Sequence, residues 1–493
     1  MQTDKWVQST PTHALKNPRS LIKLDSGWLV IAIFALLSAV LIAAKAGSVF
    51  RIAFPFGTLV VSIFLYGRNP LLYMGFTWWI LFLSSLVRRL IDYQSGWVDP
   101  STVLLAPFLA LLVTAVPCIR SLPRTSQQGG FPFLISFSGV LYSFLIGLIN
   151  NPPISAVLSL LNWLAPMLLG YYLYINWRHY PAYKQNLQRV FLWGVLVMGS
   201  YGILQFMAPA AWDVFWVNNA DISTIGSPLP FQLRVFSTLN SPGPFGIVTM
   251  AGLLLLLSSG GTLLFPSSVA GYLSFLLSQV RSAWLGWFIG LLTLFPALQP
   301  KFQFRLVLTI LILSVLITPL TAIEPFASVI NARVQSLSSA QDDVSYQERS
   351  QGYSEVFDAA ISEFAGKGLG FVLEGATIGV NDSGILTSLF SLGWIGSIPY
   401  FFGILTLLFQ IFHSPDKRAD PFMSAACAIS VGTFIQISLG NATIAQSGVV
   451  FWAFSGIALA ASKYYKHQRH IIYHDVHLSN FQQTHEQPSE QKN

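Results

Sequence analysis

Apolar runs of roughly 17 to 25 residues recur along this chain from Trp28 to Tyr464, each long enough as a helix to cross a hydrocarbon core of about 30 Å. About fourteen such runs can be counted, or 12 to 14 if the thin junctions at Pro152, Pro153 and Arg281 do not divide their neighbours. Of the 493 residues, 53% are hydrophobic and only 10% are charged, against roughly 25% charged in soluble domains. The expected fold is all-α, a polytopic membrane helix bundle with a large, partly helical extracytoplasmic loop. Its expected divisions are a cytoplasmic N-terminal tail (1–26), a multi-span membrane domain (27–464) holding a large outer loop (322–383), and a disordered cytoplasmic tail (465–493).

The polar N-terminal segment carries Lys5, Lys16, Arg19 and Lys23 and shows no short apolar core with a small-residue cleavage pattern, so the first span is expected to act as an uncleaved anchor. Cys118 and Cys427 lie in or beside spans, which offers neither a disulfide framework nor a cysteine metal site. The formal charge of +7 does not point to nucleic acid, because the basic residues cluster in short loops between spans. With the N-terminus in the cytoplasm, strict alternation puts Arg68, Arg120, Arg124, Arg178, Lys184, Arg189, Lys301, Arg305, Lys417, Arg418, Lys463, Lys466 and Arg469 inside, together with both termini. The few cations left outside are then informative: Arg51, Arg88, Arg89, Arg234, Arg281, Arg333, Arg349 and Lys367. No proposed span has an Asp or Glu in its interior, which argues against an ion-coupled transporter or proton relay and places any chemistry at the outer face.

Two outer loops stand out, about 209–241 and 322–383; a loop as long as the second is commonly functional or disordered. Within it, Ser345 and Glu348 have the spacing of a capping box. Apolar residues at 346, 353, 357, 360, 361 and 364 then recur as one helical face, which also carries Arg349 toward the mouth of the bundle. Arg349 has two readings: a side chain snorkelling along Tyr353 to an acid such as Asp382, or a ligand for an anion. Arg281, in SQVRSAWLGW, opens a span whose free N–H groups already favour an anion. Arg234, in FQLRVFSTLNSPGPFG, precedes the prolines that start the next span from the same side. Three arginines from separate outer segments suggest one shared anionic ligand, for which the guanidinium fork suits phosphate. The glycine-rich GKGLGF (366–371) lacks P-loop spacing and reads as turns ending a helix. Asp382 stands just before the next span, either as a carboxylate that takes a proton from a hydroxyl or as a helix N-cap.

These blocks, namely RVFSTLNSPGPFG, SQVRSAWLGW, the Arg349–Tyr353 pair at R-x-x-x-Y spacing, FAGKGLGF and DSGILTSLFSLGWIG, resemble in order and spacing the successive motifs of the O-antigen ligase and O-antigen polymerase (Wzy-type) superfamily, over roughly 190–410. The resemblance implies an inverting, metal-independent glycosyltransferase of the bacterial plasma membrane that uses no cofactor. Its donor is a polyprenyl-diphosphate-linked glycan and its acceptor another glycan or a lipid, with polysaccharide export or chain-length proteins as partners. Arg281, Arg349 and Arg234, with Tyr353 beside them, would bind the diphosphate and stabilise the leaving group. The ligases carry a His-Asn pair where this chain has Asp382 and Ser383, and Phe364 stands near the usual proline; the change favours a polymerase or related exopolysaccharide enzyme, with Asp382 as the candidate base and Glu355 or Glu363 as other outer carboxylates that could take the proton.

Two other classes compete: a transporter of a small anion such as bicarbonate, and a non-enzymatic scaffold of a polysaccharide export system. The adjacent Asp342 and Asp343 read as a solvated loop rather than a metal site. The tail histidines His467, His470, His474, His477 and His485 read as a non-catalytic extension. Trp78, Trp79, Trp212 and Trp216 read first as interfacial belts.

Overall fold

The computed structural model describes residues 26–125, 129–220, 225–297, 357–371, 383–418 and 420–485, with a few single positions between, and backbone alone beyond 471. Among these residues there is no strand, only an isolated bridge between Gly226 and Leu233. The helices are α1 (Ser26–Ala43), α2 (Gly47–Arg68), α3 (Pro70–Ser95), α4 (Ala106–Leu112), α5 (Ala115–Thr125), α6 (Phe131–Asn150), α7 (Pro153–Ile175), α8 (Tyr180–Met207) and α9 (Ala211–Asn219). They continue as α10 (Pro242–Leu256), α11 (Leu264–Leu277), α12 (Arg281–Leu294), α13 (Gly384–Phe412), α14 (Pro421–Phe434) and α15 (Ala445–His485).

Ten helical segments among the described residues are long and apolar enough to cross a membrane. That is fewer than the twelve to fourteen expected, and the reason is local. α10, α11 and α12 hold 15, 14 and 14 residues, so each spans only about 21 to 23 Å at 1.5 Å per residue. Packing explains the shortness of α10, since nearly every side chain from Phe245 to Leu256 is buried among its neighbours. The expected run near 304–321 lies almost wholly outside the described residues. Both thin junctions do divide helices: Asn151 and Pro152 part α6 from α7, and a short turn parts α11 from α12.

α7 lies along α15 and α6 along α13. The first pair approaches at glycine: a methyl group on Gly170 would run into the backbone of Trp452, and one on Gly456 into the backbone of Gly170. Bare backbone is what lets helices meet this closely where apolar burial alone gives no preference over lipid. One large cluster of buried apolar side chains joins α3, α7, α8, α10, α14 and α15. Trp78 belongs to it, 1% exposed and edge-to-face with Phe191 at 4.8 Å between ring centres, and Trp216 is buried in a small cluster with Ile225, Leu233 and Phe236. These tryptophans are interior packing rather than a belt. The last helix also departs from expectation, running past 464 to His485; the polar composition suggested disorder, but no Gly or Pro lies between 457 and 485 to stop the helix.

Candidate functional site

The side-chain contacts sort the helix ends into two groups. One holds the C-terminal ends of α3, α8 and α11 and the N-terminal ends of α10, α12, α13 and α15. Bonds from Arg89 to Asp213 and Ser237 and from Arg234 to the end of α11 join members of this set, and Arg51, at the start of α2, reaches it through Asp92.

Arg89 anchors it. Its guanidinium is fully buried and meets Asp213 of α9 at 2.5 Å, donates to the backbone carbonyl of Ser237, and lies 4.8 Å from the Phe236 ring. Asp213 also accepts from the Tyr201 hydroxyl at 2.7 Å, which in turn accepts from the Trp212 indole at 2.8 Å. Gln205 Oε1 accepts from the N–H groups of Phe236 and Ser237 at 3.1 and 2.8 Å. Ser237 itself has φ +50°, a left-handed conformation that costs a non-glycine residue energy unless its surroundings hold it. Arg88 completes the cluster: it binds Asp92 at 3.1 Å and Asp99 at 3.0 Å and lies over the adjoining rings of Trp97 and Trp216, at 4.9 and 4.6 Å. Arg51 adds a second bond to Asp92, at 2.9 Å. Asp92 lies in the last turn of α3, past the expected span end at 87. Three of the cations expected outside are thus structural pairs: Arg89 ties the segment around Ser237 to α3, while Arg51 and Arg88 hold the end of α3 and the turn after it.

That tether positions Arg234. The N–H of Val235 bonds the Leu277 carbonyl at 3.1 Å, and Arg234 donates to the carbonyls of Ser278 (3.3 Å) and Gln279 (3.1 Å). These carbonyls end α11, and Gln279 turns the chain with φ +54°, so that α12 begins at Arg281. The structure therefore brings the Arg234 segment onto the turn that delivers Arg281, two residues beyond the carbonyl Arg234 holds. Both side chains are partly exposed, and Arg281 starts a helix whose first N–H groups and dipole favour an anion. Nearby, the buried Thr238 Oγ1 and Asn240 Oδ1 have no hydrogen-bond partner among the described residues. Nothing in the sequence pattern marked those two beyond their membership of the STLN segment.

The glycine-rich segment is not a simple helix end. α13 is broken at Gly393 (φ +61°, ψ −175°), in a region only glycine enters readily. Residues 364–371 fill the break: Lys367 N and Gly368 N donate to the carbonyls of Phe390 (2.7 Å) and Ser391 (3.1 Å), Leu369 N donates to Ser143 of α6 (3.1 Å), and Ile395 N donates to Phe364 (3.3 Å). Asn151 grips the far side, donating to the carbonyls of Lys367 and Leu369 at 3.0 and 3.1 Å. Gly366, Gly368 and Gly370 all have positive φ, and a methyl group on any of them would meet backbone of α13, α6 or α7 respectively. Irregular backbone at this depth is tolerated because each freed polar group finds a partner within the protein.

Residues 357–362 are helical, in keeping with the expected face, but of its described residues only Ala360 packs inward, against Leu386, Leu389 and Phe390. Phe357, Ile361 and Phe364 are exposed, because this short helix presents its backbone to α13, the Trp394 indole donating to the Ile361 carbonyl at 2.8 Å. Lys367 pairs with Glu363 at 2.5 Å. The N-cap of α13 is Ser383, whose Oγ accepts from Leu386 N at 3.5 Å, so capping is not left to Asp382. Arg349, Tyr353, Asp382, Arg333, Asp342 and Asp343 lie outside the described residues. Cys118 and Cys427 are buried and unpaired. No protein-family profile and no characterised sequence matches the chain.

Proposed function

We propose that the chain is a membrane glycosyltransferase of the O-antigen polymerase or ligase kind, transferring a glycan from a polyprenyl diphosphate carrier to an acceptor hydroxyl at the outer face of a bacterial plasma membrane. The observation that carries the reading is the seating of Arg234 on the turn that launches Arg281 from a helix N-terminus, which gathers two permanent positive charges from segments 47 residues apart in sequence (281 − 234). A diphosphate suits such a place, because the guanidinium fork binds phosphate oxygens in pairs. In the reaction, the acceptor oxygen attacks the anomeric carbon from the face opposite the phosphate, and the sugar–phosphate bond breaks. The diphosphate leaves carrying the bonding electrons, stabilised by the arginines. The acceptor proton passes to a carboxylate, for which Asp382 is the candidate on sequence. Arg349 and Tyr353 are assigned to the same anion.

The test replaces Arg281 with Gln in the full chain and follows lipid-linked repeats in membranes. Accumulation of unextended repeats with loss of polymer supports the transfer; unchanged polymer length contradicts it.

A second reading, passage of a small anion such as bicarbonate, draws support from the break in α13 and the short α10 to α12, since interrupted helices often flank transport sites. Normal glycan with lost anion uptake in the Arg281→Gln protein would favour it.

A further inference from the structure

We propose that the opposite end of the bundle carries a binding site for the phosphate of an anionic phospholipid headgroup, in the cavity bounded by α2, α5 and α7. The cavity has a volume of about 420 Å³ and is lined by Tyr66, Arg120, Ser121, Thr125, Tyr174 and Arg178, with Val116, Pro117 and Ile175 completing it. Its size falls within the roughly 300 to 1,000 Å³ of ligand pockets. Beside the lining Tyr174, the Lys463 ammonium of α15 lies 4.8 Å from that ring and 5.6 Å from the Trp177 ring, and the Arg178 guanidinium lies 4.7 Å from the same indole. Two cations, Arg120 of α5 and Arg178 of the turn before α8, therefore face one space. Among the described residues no carboxylate forms a salt bridge with Arg120 or Arg178, unlike Arg51, Arg88 and Arg89 at the other end. The Ser121 and Thr125 hydroxyls in the wall donate inward, to the carbonyls of Cys118 (2.9 Å) and Ser121 (2.8 Å), which leaves the guanidinium groups of Arg120 and Arg178 as the charged donors of the cavity.

The lipid, rather than a soluble ion, follows from what adjoins the cations. Val116 and Ile119, on α5 with Arg120, are 54% and 62% exposed, an apolar outer surface on which acyl chains can lie while the headgroup enters the cavity. Positive-inside alternation puts this end at the cytoplasmic leaflet, where basic pockets between helices meet anionic lipid. The site is independent of the transfer proposed above and uses none of its residues.

Native mass spectrometry of the full chain, released from mild detergent, tests this with phosphatidylglycerol and phosphatidylcholine of matched acyl chains. The wild type is expected to retain phosphatidylglycerol preferentially, and Arg120→Gln/Arg178→Gln to lose roughly thirtyfold of that preference, at about tenfold per 1.4 kcal/mol and roughly 1 kcal/mol per cation. Should the double variant fail to fold, Arg178→Gln alone is expected to lose roughly fivefold. Equal retention of the two lipids by the wild type, or a preference untouched by the substitutions, overturns the proposal. Inorganic phosphate at millimolar concentration distinguishes the other source: if it raises the unfolding temperature of lipid-free protein and displaces phosphatidylglycerol, the site takes a soluble phosphate ion and the lipid assignment is wrong.

Discussion

The two ends of the bundle handle charge differently. At the end holding Arg89, ion pairs join segments far apart in sequence and are sunk out of solvent: Arg89 and Asp213 are both 0% exposed, and Asp92 serves Arg51 and Arg88 together. At the other end one carboxylate gathers neutral and charged donors. Asp420 accepts from Tyr180 (2.6 Å), Lys184 (2.8 Å), Tyr465 (2.8 Å) and the N–H of Phe422 (2.9 Å), tying α8, α14 and α15. Arg120 and Arg178 are left around a cavity. Rigid, internally neutralised charge at the Arg89 end suits the task of holding loops in register, among them the segments that present the partly exposed Arg234 and Arg281, whereas at the other end the exposed cations stand around a cavity without such a buried frame.

Substitutions sharpen the contrast. The largest effect is expected at Arg89→Ala, which strands a buried Asp213 and should cost about 3 to 5 kcal/mol in a denaturation series, while Arg89→Met/Asp213→Leu should be much milder than either single change. If the single and double variants are equally damaged, the pair is not the tether described here. Gly393→Ala comes next, at roughly 1 to 3 kcal/mol for the backbone conformation alone, with a further cost because the new methyl meets the backbone of Ala365 and Gly366. Insensitivity to Gly393→Ala would remove the break as a fixed feature.

Asp420→Asn follows, at about 2 kcal/mol for the loss of charge-assisted bonds. Burial pushes the Asp420 carboxyl up, but the bonds from Lys184, Tyr180 and Tyr465 outweigh it and leave it below the ordinary carboxylate range. A carboxylate with a depressed folded-state pKa adds stability that is complete above about pH 4 and fades as pH falls through the folded value. Wild type and Asp420→Asn should therefore differ near neutrality and converge in strong acid; a gap that persists in strong acid contradicts this assignment. The smallest effect belongs to Lys367→Ala, whose partly exposed pair with Glu363 should contribute only about 0.3 to 0.5 kcal/mol.

Much of this architecture is legible in the sequence because membrane crossing leaves a one-dimensional record. The apolar runs, the proline junction before α7 and the start of α12 at Arg281 each follow from local spacing. What pairs across the fold is not recorded that way: Arg88 and Arg89 stand out only as misplaced cations, and Asp213, 124 residues from Arg89, carries no signal naming it as the partner. The glycines of GKGLGF announce a turn, but its receiving surface comes from Ser143, Gly147 and Asn151 on α6 and Gly393 on α13, which no local pattern connects. Trp78 fails for a related reason, since an aromatic side chain of a span becomes a core residue only through neighbours from other helices such as Phe191 and Phe454. The extended α15 was hidden by composition, where the absence of helix breakers was the better guide.

The central claim is that Arg234 and Arg281 together receive a phosphorylated lipid carrier. Its most direct test is equilibrium binding of polyprenyl diphosphate and of the matching polyprenol to the full chain in nanodiscs, for the wild type and for Arg281→Gln. Retention of the diphosphate by the wild type, weaker retention of the polyprenol, and loss of that difference in Arg281→Gln are expected. Equal binding of the two lipids to the wild type would contradict the account.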